Sequence, residues 1–516
     1  MNPFKYSLSV FVIVIVLMIS ACAPSSTPGI TPDPTSEPTS GEVDTFYTGK
    51  YREQSEVKLE GISPDWVKSL VIAQIRIESI SEEGTFTAAL PALDYLQDLG
   101  VSGVWVSPVF EKGIDEDNIN NDKINQNGFN VKEPDKIEPS LGTEAELITF
   151  VKEAHKRDIR VFLDVVPHGV STQSSLVTEH PDWFRRDDDG ELKITWGKMH
   201  DFIFNKTAVE EYWIETCVDL VKRLDIDGFR CDLEPGCFGT MTWGKIRQRC
   251  WDEGYKIAIF SEIVSDRGAG FDFDQNGIYP YDLTDRSKRV KYRADLFLRE
   301  NIVDAVQQGL EHSTFDKQAA GQGGQDRFYS FALSNHDMVL TTKGSRFRFA
   351  YQAIFSPYLP VFFIGEEMNY DTIHGLLYVE KIDLSKAELP GKKEFRDDIK
   401  KMIAIRREYH DIFEYFPENH RDSNIVKVES TGTNVQTYGR FRNNTAVVIV
   451  GNNSDESITA NVVLDTQMLE LDVAEEYEVT DLMTDLVVYS GPAEGFSSID
   501  VEVDEQSLRI LKVEPK

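Results

Sequence analysis

Apolar and polar positions follow two rhythms along this chain. Residues 71–77 form a β-branched run, residues 86–99 repeat apolar side chains at helical spacing up to Gly100, and residues 101–107 form a second strand-like run. Further on, residues 144–157 put Leu147, Phe150, Val151 and Ala154 on one helical face, and residues 159–166 are a nearly continuous apolar strand. Strands this uniformly apolar are buried on both faces, as in parallel sheets. Their alternation with helices over about 350 residues predicts an α/β fold, a β/α barrel with insertions rather than a small open sheet.

Two regions break the rhythm. A polar stretch carrying Trp183, Phe184 and Trp196 separates the third strand from the helical pattern at 208–224. It predicts a small subdomain over residues 169–206, on the top of the barrel and bordering its site. From residue 424 short alternating runs at 425–429, 435–441 and 445–450, divided by Gly and Asn turns, predict a C-terminal antiparallel β-sandwich. The expected division is a barrel over 64–420 and a sandwich over 421–516.

The 516 residues hold 54 Lys plus Arg against 87 Asp plus Glu, a formal charge of −33. That charge repels polyphosphates and anionic membrane surfaces, which disfavours nucleic acid and polybasic membrane binding and leaves neutral substrates open. At the N-terminus, Lys5, the apolar run 8–19 and the small residues Ser20 and Ala21 read as an export signal too short to span a bilayer. Ile19-Ser20-Ala21-Cys22 resembles the bacterial lipobox, so residues 1–22 are expected to end in a lipidated Cys22, with a simple signal peptide as the alternative. Residues 23–45 include Pro24, Pro28, Pro32, Pro34 and Pro38 among Ser, Thr and Gly, the composition of an extended tether. The expected location is the bacterial cell surface, held to the membrane by the lipid alone.

Four cysteines remain, Cys217, Cys231, Cys237 and Cys250, with three full pairings. A helix over 240–251 separates Cys237 from Cys250 by on the order of 15 Å, too far for a bond. Cys217 shares a helix face with Val209, Trp213 and Leu220 and reads as a buried thiol. No spacing matches a zinc site.

In a β/α barrel the chemistry lies at strand C-terminal ends. Carboxylates close four runs: Asp164, Asp232, Glu262 and Asp337. Period two turns Gly228, Arg230 and Asp232 to one face and Phe229 and Cys231 to the other, so Arg230 stands beside Asp232. A neighbouring cation is expected to lower the Asp232 pKa, while Glu262, leaving an apolar strand, is expected to have its own raised. One ionised and one protonated carboxyl flanking a glycosidic bond is the constellation of retaining glycoside hydrolysis. Taken singly, each carboxylate reads equally well as a helix cap or a loop ion pair.

From residue 64 onward the chain resembles the α-amylase family of glycoside hydrolases, family 13. The motifs in order are DVVPHG at 164–169, GFRCD at 228–232, FSE at 260–262 and NHD at 335–337, supported by GFNV before PSLGTEAEL, by HPDWF and by LPVFFIGEE. The resemblance implies a (β/α)8 TIM barrel with a subdomain inserted after strand 3 and a C-terminal antiparallel β-sandwich. It implies Asp232 as nucleophile, Glu262 as general acid/base and Asp337 as the carboxylate holding sugar hydroxyls. Arg230, His336, Phe129, His168 and Asp164 are then substrate-site residues, Phe129 as a stacking ring. The first motif usually ends in Asn-His, where this chain has His168 and Gly169. Either both positions are substituted, or one residue is lost and His168 takes the histidine's place. The same Asn often helps bind calcium, and Pro235 and Gly236 stand where Lys-His is usual. No cofactor is therefore expected to be required, although Asp187, Asp188 and Asp189 could assemble a different calcium site.

The favoured function is an exported, α-amylase-type hydrolase acting on starch-type glucans or maltooligosaccharides. Within the fold, transglycosylation of the same substrates is the alternative. A non-catalytic glucan-binding lipoprotein is the alternative from another class, since folds outlive activities.

Overall fold

The computed structural model describes residues 64–114, 128–195, 198–233, 237–262, 273–274, 328–332, 336, 345–355, 359–370, 381–414 and 424–516. The export signal, Cys22, the tether, Trp196, Pro235, Gly236 and Asp337 lie outside them.

Strand and helix alternate as the apolar rhythm predicts. The strands are β1 (Ile72–Ile75), β2 (Gly103–Val106), β3 (Arg160–Val165), β4 (Gly228–Cys231), β5 (Ala258–Ser261), β6 (Phe273–Asp274), β7 (Phe328–Ala332) and β8 (Leu359–Phe363). Each pairs in parallel with the next, and β8 pairs with β1, which closes an eight-stranded barrel. Among the described residues the surrounding helices include α1 (Phe86–Leu99), α2 (Glu144–His155), α3 (Thr207–Leu224), α4 (Gly239–Asp252) and α5 (Lys392–Glu408).

Local chemistry fixes the helix ends. The hydroxyl of Thr85 accepts from Ala88 N, and α1 stops where Gly100 takes φ 96°, a conformation open to glycine at no steric cost. Thr143 and Glu146 form a reciprocal capping box at the start of α2. The α2 face of Leu147, Phe150, Val151 and Ala154 is buried, as expected, and its large side chains each contribute about 1.5–3 kcal/mol.

Period two sorts the barrel strands into two cores. Ile72, Trp105, Phe162, Ala258, Phe260 and Val361 fill the barrel interior, while Ala73, Val104, Val161, Phe229, Cys231 and Ile259 pack outward against the helices. At Gly228, φ 152°, a Cβ would overlap the carbonyl oxygen of Ala258 on β5. Only glycine lets β4 approach β5 there, and that approach sets the height of Arg230.

Two excursions stand on the barrel's top. The expected one follows β3, with Gly169–Ser171 paired antiparallel to Met199–Asp201 and the short helix Ser175–Glu179 between them. The other, which the sequence pattern did not predict, follows β2 and pairs Phe110–Lys112 with Val131–Ile137. Beyond α5 an antiparallel six-stranded sheet packs against a three-stranded one over Val448, Val450, Val462, Val501 and Leu511. The opposite face of the larger sheet sends Val447, Ile449 and Ile510 into the cluster shared with the barrel helices.

Cys217 and Cys250 are free thiols, and both are buried, as is Cys231. Burial pushes the Cys217 thiol up and that of Cys250 up to about 12.

Candidate active site

The site is built on one buried cation. Arg230 projects into the barrel from β4 and is wholly buried. Its Nη1 donates to Asp164 Oδ1 at 2.9 Å and to Asp232 Oδ1 at 2.6 Å, and Nη2 lies 3.4 Å from Glu262 Oε2. The guanidinium also sits over the rings of Trp105, 5.2 Å away, and Phe129, 6.0 Å away. Asp232 and Glu262 end neighbouring parallel strands, and Leu233 N fixes Glu262 by donating to Oε2 at 2.7 Å.

Exposure separates the carboxylates. Asp232 and Glu262 keep 13 % and 15 % of their side-chain surface, whereas Asp164 keeps none. The oxygens of Asp164 are taken by Arg230 and by the indole N–H of Trp105 at 2.9 Å. Asp164, expected among the substrate-site residues, is completely buried and meets the site through its contact with Arg230.

The electrostatics also differ from expectation. Burial pushes the Asp232 carboxyl up, the charge of Glu262 adds to this, and Arg230 and His168 together do not overcome them. The sequence reading, which had Arg230 lower this pKa, counted the neighbour two residues away and missed the burial and the next strand. Burial likewise drives Asp164 well above the usual carboxylate range against the pull of Arg230.

His336 is locked in place as a neutral ring. The side-chain amide of Gln74 donates to its Nδ1 at 2.7 Å and accepts from its backbone N at 3.2 Å. Burial, Arg230 and Arg76 hold its pKa well below the ordinary histidine value. Phe129 stacks on His336 with centroids 4.5 Å apart and planes at 17°, and Trp105 meets the same ring edge-on. One face of the expected sugar-stacking ring is thus occupied by His336, and Phe129 is only 3 % exposed.

His168 reaches the site, its Nε2 3.5 Å from Asp232 Oδ2, while a side chain at Gly169 would meet the carbonyl oxygen of His200 at 2.5 Å. Gln74, Trp105 and Asp201 are site components that sequence reasoning passed over. Polar or indole side chains inside otherwise apolar strands were the available signal for the first two. Asp201 gave none, because its contact depends on how the insertion folds back.

Calcium binds six to eight oxygens. Among the described residues no group of three or more His, Cys, Asp or Glu side chains could hold a metal ion. Asp187 Oδ1 accepts instead from the backbone of Asp189 and Glu191 within its own turn.

Comparison with known proteins agrees with this architecture. Residues 78–189 match the family model "Alpha amylase, catalytic domain". The α-amylase MalA of Haloarcula japonica is 26 % identical over 218 residues, which cover 39 % of this chain and 30 % of that one. A cyclomaltodextrinase of Geobacillus thermopakistaniensis is 24 % identical, covering 78 % of this chain and 72 % of its own. The chain spans less than two thirds of the length of several curated relatives, 30 % of MalA and 59 % of α-amylase 3 of Dictyoglomus thermophilum among them. In fold, the maltogenic α-amylase AmyB of Thermotoga neapolitana superimposes with a TM-score of 0.67 at 18 % identity, over 87 % of this chain and 100 % of AmyB. The parallel barrel, the insertion after its third strand and the antiparallel C-terminal sheets give this chain the fold of AmyB, and the stretch at 78–189 within the barrel is similar to the α-amylase catalytic domain.

Proposed function

We propose that this protein is a retaining glycoside hydrolase that cleaves α-glucosidic bonds in starch-type glucans or maltooligosaccharides. The observation that carries the reading is a single guanidinium, Arg230, within 2.6–3.4 Å of three carboxylates, two of which remain open to solvent. One positive charge among three carboxyls leaves an excess of negative charge, which favours retention of a proton within the cluster. A protonated and an ionised carboxyl side by side are what two-step glycoside hydrolysis uses.

In this reading Asp232 attacks the anomeric carbon as the bond to the leaving oxygen breaks, and Glu262 gives that oxygen its proton. Glu262, now ionised, takes a proton from water as the water oxygen displaces Asp232 and frees the sugar with its α configuration. Arg230 and His168 hold the Asp232 carboxylate, and Phe129 with His336 walls the sugar pocket. Asp337 enters by its position in the motif NHD as the third carboxylate, binding sugar hydroxyls. The names of the related α-amylases and cyclomaltodextrinase support α-glucans as the substrate class.

Chromatography of maltooligosaccharides, pullulan and trehalose after incubation with the protein tests this reading. Shorter maltooligosaccharides are expected. Longer products would make it a transglycosylase, and unchanged substrates would make it a binding protein.

Lipidation at Cys22 and a surface location extend the proposal, supported by the sequence around that cysteine. One acyl chain anchors only marginally, so stable anchoring takes several. Labelled fatty acid should enter the wild-type chain and not Cys22→Ala; equal labelling of both would end this part of the proposal.

A further inference from the structure

The ring of His168 stands between carboxylates that come from different parts of the fold. Nε2 faces Asp232 Oδ2 at 3.5 Å, and Nδ1 faces Asp201 Oδ1 at 3.5 Å. Asp201 ends the insertion strand Met199–Asp201, which pairs with Gly169–Ser171 directly after His168. Phe202 N donates to the His168 carbonyl at 3.0 Å, so one pair of strands fixes both the ring's backbone and the partner of its Nδ1. The Asp201 carboxylate is anchored in turn, accepting from the Thr195 hydroxyl at 2.8 Å with Arg185 Nη1 3.8 Å away. His168 is 6 % exposed and Asp201 7 %.

A neutral imidazole carries one N–H and one lone pair. With a carboxylate opposite each nitrogen, the neutral ring would set lone pair against lone pair on one side, whereas the imidazolium donates to both. We propose that Asp201 is a positioning residue, holding His168 as an imidazolium against Asp232 and so giving the nucleophile a second cation across from Arg230.

The charged groups facing this ring are Asp201 from the insertion, Asp232 at the end of β4 and Glu262 at the end of β5, with Arg185 behind Asp201. Burial alone would lower the His168 pKa, but Asp201, Asp232 and Glu262 outweigh it and raise it. Burial likewise opposes ionisation of Asp201, and His168, Thr195 and Arg185 reverse that, leaving its pKa below the ordinary value. The inference rests on the hydrolase reading for its consequence in catalysis, but its first readout needs no turnover.

NMR of the full chain with 15N-labelled histidine tests it, the His168 signal being assigned by its loss in His168→Gln. In the wild type His168 is expected to titrate above the ordinary value of about 6.5. In Asp201→Asn the midpoint should fall by at least about one unit, and Asp201→Glu should restore it. With an aryl α-maltoside, Asp201→Asn should lose kcat above that lowered midpoint while KM changes by less than about threefold. A wild-type midpoint at or below about 6.5 overturns the proposal without any variant having to fold. A folded Asp201→Asn with an unmoved midpoint also overturns it. A raised, Asp201-dependent midpoint in a chain that turns over no glucan would support the pairing and overturn the hydrolase reading instead.

Discussion

Replacing Arg230 with glutamine removes the guanidinium that lies 2.6 Å from Asp232, 2.9 Å from Asp164 and 3.4 Å from Glu262. A guanidinium–carboxylate pair with charge centres roughly 4 Å apart is worth on the order of 4 kcal/mol at an effective dielectric near 20. The glutamine amide returns one hydrogen bond and water enters the vacated volume, so a net loss of about 2–4 kcal/mol falls on the ionised form of Asp232. At about 1.36 kcal/mol per pH unit this is a rise of roughly 1.5–3 units in a carboxyl that burial has already pushed up. The acid limb of kcat/KM reports groups of the free enzyme, so it should move up by that amount. Below the shifted limb each unit costs about a further tenfold in rate. The assay is the kcat/KM profile of an aryl α-maltoside from acid to neutral pH for the wild type, Arg230→Gln and Arg230→Lys. Lysine, which keeps the charge and loses the planar fork, should fall between the other two. An Arg230→Gln enzyme that is folded by circular dichroism, with its acid limb within about half a unit of the wild type, would refute the charge argument.

Three further outcomes follow from other parts of the structure. Phe129→Ala removes a buried ring stacked on His336 and should cost about 3–5 kcal/mol of stability together with much of the activity, while Phe129→Tyr should stay within a few-fold; melting and kcat/KM check both. At the foot of the barrel His155 Nε2 lies 2.7 Å from Asp227 Oδ2, and this hydrogen bond raises the His155 pKa against the opposing effect of burial. A raised folded-state pKa gives stability that is complete below the unfolded value of about 6.5 and fades as pH rises through the folded one. The melting advantage of the wild type over His155→Gln should therefore shrink from acid to alkaline pH, and a constant advantage would contradict it. Chelation should leave activity and melting unchanged, whereas loss on chelation restored by calcium alone would count against the donor argument.

Much of this fold was legible because period and burial coincide. Gly228, Arg230 and Asp232 share one face of β4 and Cys231 takes the other, as strand geometry requires, and Gly100 ends α1 where a left-handed residue is needed. The excursion after β2 was not legible. Phe110–Lys112 is three residues long and Val131–Ile137 carries Pro134 and four charged side chains, so neither segment shows the alternation of a strand. Within the site, the strand-end carboxylates could be found from position alone. What each carboxylate does could not, because that depends on burial and on partners distant in sequence. Asp164 is silenced by Arg230 and Trp105, each about sixty residues away along the chain, and Asp232 is governed by Glu262 on the next strand and His168 below the insertion. Asp201 is the extreme case, a short-strand residue whose role depends on the insertion returning to His168.

The central claim is that Asp232 and Glu262 carry out a two-step displacement. Their shared guanidinium places both carboxyls on one pocket, and retaining enzymes set such a pair about 5–5.5 Å apart, without the room that an inverting enzyme leaves for water. Proton NMR of a maltooligosaccharide digest in its first minutes, before the free sugar mutarotates, tests this most directly. The account predicts that the first new reducing ends are α anomers; β anomers at the earliest times would mean a single inverting displacement and would remove Asp232 from the nucleophile's role.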